Sequence, residues 1–185
     1  MGHYRILGKT RDFITGREII DTDDERYRQK IARLLVEEKG YSKDDIEVKR
    51  EVELVCGNER AFAMVDFVVK VGGKSFMVIR YGPGSLVTRE RPALASARIL
   101  ETYQIPLTVV TNGEDAEVID TVSGKVIAMG LQAIPSKNEA LEQIEKIEFR
   151  KLPPKRMEVE KRFLFAFDAL EHSSECDDDF CITPL

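Results

Sequence analysis

Cysteine is scarce: Cys56, Cys176 and Cys181 are the only three in 185 residues. An odd, sparse set does not make a disulfide framework and fits a reducing cytoplasm. Long apolar runs are missing too, and nothing approaches the length of a membrane span. The first residues, Met1-Gly2-His3-Tyr4-Arg5, contain no apolar signal segment, and Ile6 stands where a myristoylation signal wants Ser or Thr. The expectation is a cytoplasmic protein with no membrane partner. The phosphate-cradling pattern Gly-x-x-x-x-Gly-Lys-Ser/Thr is also absent, which excludes a helicase motor within this stretch.

Basic residues are missing from positions 168–185, which carry Asp168, Glu171, Glu175, Asp177, Asp178 and Asp179. Against a net charge of −5, this −6 tail leaves the first 167 residues at +1. Within residues 74–98, Lys74, Arg80, Arg89, Arg91 and Arg98 face a single acid, Glu90, so the stretch is +4. The global balance argues against a nonspecific nucleic-acid coat, yet a locally basic surface is expected. The tail is expected to compete with phosphate for those basic residues. His172, Cys176 and Cys181 are too few and too irregularly spaced for a structural zinc site, so no metal is assigned to them.

What is present is a chain with 43% hydrophobic and 33% charged residues, enough for one core. Residues 1–21 show no period and are taken as an irregular extension. Asp21-Thr22-Asp23-Asp24-Glu25 supplies a cap and early acids for a helix, Ile31, Leu34 and Leu35 follow at helical spacing, and Gly40 closes it. Three strand-like runs come next, Ile46–Cys56, Phe62–Val71 and Ser75–Tyr81. The last two are apolar on both faces, which marks central strands. Gly72-Gly73-Lys74 reads as a hairpin turn, with a loop of three residues or of Gly72-Gly73 alone.

A helix over about 88–103 is expected, with Pro92 in its first turn. Leu107–Thr111 then reads as a buried strand, and two short strands flank Ser123-Gly124. Ser136 caps a helix of about 137–147 whose inward residues are Ala140, Leu141, Ile144 and Ile147. Pro153-Pro154 breaks the chain before an amphipathic helix over 156–170 carrying Phe163 and Phe167. The domain reading is an extension over 1–21, an α/β core over 22–150, and a C-terminal helix with acidic tail over 151–185.

Several pieces occur in a telling order: Glu25-Arg26-Tyr27-Arg28-Gln29, Gly40-Tyr41, Asp66 within Met64-Val65-Asp66-Phe67-Val68-Val69, Ile105-Pro106, and Thr111-Asn112-Gly113. This ordered set resembles the N-terminal domain of type I restriction enzyme R subunits, of the PD-(D/E)XK nuclease-like superfamily, over about 22–120. The resemblance implies a restriction-endonuclease-like core, a mixed central sheet flanked by helices. It also implies a site in which a helix Glu, a strand Asp and a Glu-x-Lys on the next strand hold Mg²⁺ and position water. Glu25 and Asp66 match. The Glu-x-Lys positions hold Arg80 and Gly82, in Ile79-Arg80-Tyr81-Gly82-Pro83-Gly84.

A three-residue loop would set Asp66 opposite Arg80, and their ion pair would take the metal's place. The pseudo-active site is then Asp66, Glu25 and Arg80, with no cofactor. Lys74, Arg89, Arg91 and Arg98 are candidate contacts to nucleic acid, or a solvated helix face. Gly82-Pro83-Gly84-Ser85 is a turn or a phosphate cradle.

Three functions remain open. One is a degenerate nuclease fold that binds DNA or serves as an accessory module. Another is an active Mg²⁺-dependent endonuclease whose missing groups come from Lys70, Lys74 or Glu90. The third is a structural domain that binds a protein partner or itself.

Overall fold

A computed structural model describes residues 5–56 and 58–172. The expected acidic tail, with Cys176 and Cys181, lies outside the described residues. The chain begins with a hairpin, β1 (Ile6–Arg11) and β2 (Glu18–Thr22), which form a two-stranded sheet of their own. The extension is therefore not irregular, as its lack of period suggests. Helix α1 (Asp23–Arg33) starts where Thr22 accepts the Glu25 amide through its hydroxyl, and it continues into a π-helical turn at Leu34–Glu38.

The main sheet has six strands in chain order: β3 (Ile46–Cys56), β4 (Glu59–Val71), β5 (Lys74–Tyr81), β6 (Leu107–Thr111), β7 (Ala116–Asp120) and β8 (Lys125–Met129). Only β5 and β6 are parallel, and α2 (Val87–Ile99) makes the crossover between them. The sheet is thus mixed, with helices on both faces. One face packs on α1, drawing on Phe67, Val69, Met77, Ile79 and Val109. The other packs on α2 and on α4 (Pro154–His172), drawing on Val65, Val68, Val78 and Leu164. Helix α3 (Lys137–Ile144), capped by Ser136, is a lid at the α1 face. In it Ala140 and Ile144 pack inward as expected, but Leu141 is exposed.

Three local expectations change. Pro92 lies inside α2 and not in its first turn, because the helix begins at Val87. Pro154 opens α4 instead of breaking the chain; a missing amide costs nothing at a first helical position. The β4–β5 loop has two residues, since Val71 pairs with Lys74. Gly72 and Gly73 both take positive φ, 57° and 77°, the backbone that a tight hairpin with right-handed strand twist needs. A bulge between Val69 and Lys70 then shifts the register by one, so Phe67 pairs with Ile79, as a three-residue loop would have arranged.

Helix α4 is held on α2 by a buried carboxylate. Glu160 is fully buried (0% exposed) and meets Arg98 Nη1 at 3.1 Å, Arg91 Nη1 at 2.5 Å and Arg156 Nε at 3.2 Å. Arg98 also donates to the Thr121 carbonyl at 3.1 Å, tying both helices to the end of β7. Removing the acid leaves buried guanidinium charge without its counterion. Glu160→Ala is expected to cost about 3–5 kcal/mol in urea unfolding; a loss under about 1 kcal/mol would mean that apolar packing by Leu164 and Phe163 alone seats the helix.

A second buried acid, Glu117 on β7, lies beneath α2. Burial raises its pKa, and the neighbouring Glu90 raises it further. A carboxyl raised in the folded state contributes stability that is present at low pH and lost as pH rises through the folded value. Glu117→Gln is therefore expected to stabilise the protein more at pH 7.5 than at pH 4.5, read from unfolding midpoints at both. An equal effect at the two pH values would remove the assignment.

Candidate functional site

The site forms where strand alternation slips. Val48 and Phe67 face α1, but Val52, Leu54, Ala63 and Val65 face α2 and α4. Even positions of β3 thus change face between Val48 and Val52, and odd positions of β4 between Val65 and Phe67. Regular strands keep one parity on one face. The slip falls at Lys49 and Asp66, between the pairs Val48–Phe67 and Arg50–Val65. Lys49 is the only described residue other than glycine at positive φ, 52°. A lysine held in the left-handed region stores strain that the surrounding structure must impose.

The slip turns Asp66 toward α1, where it is buried at 6% exposure. Its Oδ1 accepts from Arg28 Nε at 2.6 Å and its Oδ2 from the Tyr81 amide at 2.7 Å. Arg28 reaches Glu25 Oε2 at 3.9 Å and lies over the Tyr81 ring, 5.1 Å from its centre. Burial opposes the charge on Arg28, but Asp66 and Glu25 outweigh it and raise its pKa above the usual arginine value. Glu25, at 4% exposure, takes Gln29 Nε2 on Oε1 at 2.8 Å and Lys49 Nζ on Oε2 at 3.1 Å. Gln29 also donates to Asp12 Oδ2 at 2.9 Å and accepts the Phe13 amide at 2.6 Å, joining the first hairpin's loop to α1. Burial alone would raise the Asp12 pKa; hydrogen bonds from Thr15 and Gln29 outweigh it and hold it low. Tyr81 stacks on Tyr27 at 6.0 Å and donates to Asp24 at 3.0 Å.

Of the expected site residues, Glu25 and Asp66 come together, but Arg80 does not join them. Its Nη1 lies 3.4 Å from Ser96 Oγ, on the α2 face. The expected Asp66–Arg80 ion pair is replaced by Asp66–Arg28, because the slip moves Asp66 across the sheet while Arg80 keeps its parity. Gly82 leaves no amine, and a Cβ there would stand 2.9 Å from Arg89 Nε. Among the named substitutes, Lys70 is paired with Glu47, Lys74 Nζ lies over the Phe149 ring at 4.2 Å, and Glu90 neighbours Glu117. None is at the site. The lysine that is there is Lys49, which reaches Glu25 and which no motif in the sequence singles out.

The expected phosphate contacts also divide. Arg98 is buried on Glu160, and Arg91 is bound to Glu160 and packed over Phe163 at 4.2 Å. Both serve the α2–α4 joint. The Gly82-Pro83-Gly84-Ser85 loop leads into α2: Thr88 Oγ1 donates to the Ser85 carbonyl at 3.0 Å, and Asn112 Nδ2 to the Gly84 carbonyl at 3.3 Å.

The match with known families decides the kinship. Residues 23–135 match the family described as type I restriction enzyme R protein N terminus. The chain belongs to that family. No curated protein and no solved structure matches it. The six-stranded mixed sheet with helices on both faces is consistent with a nuclease-like core in such a domain.

Family kinship implies Mg²⁺, and the donor set of this chain does not fit it as arranged. A hard divalent cation needs carboxylate oxygens that are not already neutralised. Here Asp66 is paired with Arg28 and Glu25 with Lys49, and Arg80 stands where the resemblance puts a third carboxylate. Among the described residues no three His, Cys, Asp or Glu side chains gather as a metal-ligating group.

Arg28→Ala is expected to destabilise the fold by about 2–4 kcal/mol, less than a fully buried pair because Arg28 is partly exposed. It also frees Asp66. Millimolar Mn²⁺ is therefore expected to raise the melting temperature of Arg28→Ala by several degrees more than that of the unaltered protein. Identical shifts in both proteins would show that the guanidinium does not stand in for a cation.

Proposed function

We propose that this chain is a nuclease-fold module that has replaced its metal with internal cations and holds nucleic acid without cutting it. The observation that carries the reading is that both carboxylates of the site are already partnered: Asp66 by Arg28 and the Tyr81 amide, Glu25 by Lys49 and Gln29. An arginine stays protonated at any usable pH, so it neither serves as a base nor leaves by titration.

The nucleic-acid surface in this reading is the α2–α4 face. Glu160 is wholly buried there, whereas Arg91 and Arg156 keep 37% and 57% of their side chains exposed. Lys155 and Arg162 on α4 are exposed as well. Buried acid with exposed base gives an outward positive field, the feature that phosphate contacts need. No helix among the described residues is long and apolar enough to cross a membrane.

One observation favours a second reading, an active nuclease. Lys49 brings an ammonium to Glu25 from a strained backbone position and remains 44% exposed. A lysine near a carboxylate is the group that Gly82 lacks.

Supercoiled plasmid incubated with the protein in Mg²⁺ and Mn²⁺ separates the two. No cleavage is expected. Cleavage that vanishes in both Asp66→Ala and Lys49→Ala would establish the second reading and end the first. Binding is tested by fluorescence anisotropy on a short duplex at low salt. The double variant Lys155→Glu, Arg162→Glu is expected to weaken affinity about tenfold or more and to flatten the salt dependence. Equal affinity in the variant would move the interface off this face, and no binding by the unaltered protein would remove the nucleic-acid reading.

A further inference from the structure

A cavity of about 660 Å³ lies between the first hairpin, the outer face of α1 and the turn after β8. That volume suits a small organic ligand. Its wall is built from unusual pieces. The hairpin β1–β2 is a sheet of its own, and α1 leaves regular helix geometry where it borders the cavity: the Lys39 amide bonds the Leu34 carbonyl at 2.9 Å, one residue further than α-helical spacing. Such π-turns appear mostly as single insertions and frequently at functional sites. Leu34 and Leu131 give the cavity an apolar side.

The rest of the lining is cationic. Arg11, Arg26, Lys30 and Arg33 face it, against the acids Asp21 and Glu38, a formal balance of +2. Several of these cations keep donors to spare. Lys30 spends one of its three donors on the Gly113 carbonyl at 2.9 Å. Arg26 binds Asp21 through Nε and Nη2, leaving Nη1. Among the described residues Arg11 has no carboxylate partner, and Arg33 approaches Glu37 at 3.7 Å and lies over the Phe13 ring at 4.5 Å. A phosphate monoester carries about −1.5 to −2 at neutral pH and offers three strong acceptor oxygens. It matches the charge balance and the open donors, and the apolar side has room for the body it is attached to.

We propose that this cavity binds a phosphate monoester of mononucleotide size. Arg11, Lys30 and Arg26 receive the phosphate, and Leu34 and Leu131 receive the organic part. The site is separate from the Asp66 cluster, although Gln29 borders both. It does not depend on whether the chain binds or cuts nucleic acid.

Isothermal titration with adenosine 5′-monophosphate, glucose 6-phosphate and inorganic phosphate tests it. One of the two esters is expected to bind saturably at sub-millimolar concentration, with inorganic phosphate at least tenfold weaker. The nucleotide binding more tightly than the sugar phosphate assigns a planar body, and the reverse assigns a sugar; either supports the site. The charge reversals Arg11→Glu and Lys30→Glu, together, are expected to reduce affinity at least tenfold. Arg11→Ala alone, on the exposed edge of the hairpin, is expected to reduce it about threefold with an unchanged melting temperature. No saturable binding by either ester, inorganic phosphate binding as tightly as the esters, or affinity untouched by Arg11→Ala would each overturn the proposal.

Discussion

A carboxylate set in the middle of a sheet that is apolar on both faces governs this structure. Asp66 lies between Val65 and Phe67 on β4, and an unpaired charge there is too costly to persist. The fold meets that constraint with one cation and one amide: helix α1 delivers Arg28, one turn after Glu25, and β5 delivers the Tyr81 N–H, while Lys49 on β3 pairs with Glu25. The position of α1, the strained backbone of Lys49 and the end of regular alternation on two strands all follow from this one buried charge. Tyr81 is drawn in as well, its amide bound by Asp66, its ring covered by Arg28 and its hydroxyl on Asp24.

Much of the architecture could be read from residues because its signals are local. Doubly apolar runs marked β4 and β5 as interior strands, Thr22 and Ser136 marked helix starts, and Ile105-Pro106 with Thr111-Asn112-Gly113 bounded β6. The partner of Asp66 could not be read in the same way. Register arithmetic put Asp66 beside Arg80, and the arithmetic was sound: a bulge compensated for the shorter loop. Parity failed because alternation assumes a regular strand, and no residue type announces a lysine in the left-handed region. The first hairpin was missed for a related reason. Its exposed strands bury too little to impose a period, so composition carried no trace of them.

The basic stretch over 74–98 shows a different limit. Charge counted along the sequence is blind to burial. Arg98 and Arg91 contribute to the +4 of that stretch, yet both face a glutamate more than sixty positions later that is itself wholly buried. A single acid on α4 thereby draws both into a helix joint, burying Arg98 and leaving Arg91 part-exposed.

The two faces of the sheet thus solve opposite problems with the same chemistry. On the α1 face two carboxylates, Glu25 and Asp66, are each paired with a cation, Lys49 and Arg28, and Asp24 adds a further negative charge beside Arg28. On the α2–α4 face one carboxylate, Glu160, meets three arginines, and the surplus is positive. A divalent cation can reach either paired carboxylate only by displacing the cation bonded to it. A positive surplus attached to a buried acid projects outward, because the acid is fixed inside and two of its arginines reach solvent. At the place where kinship would put chemistry both carboxylates are already paired, and the surplus of cations lies elsewhere, on the α2–α4 face and in the lining of the cavity beside the first hairpin.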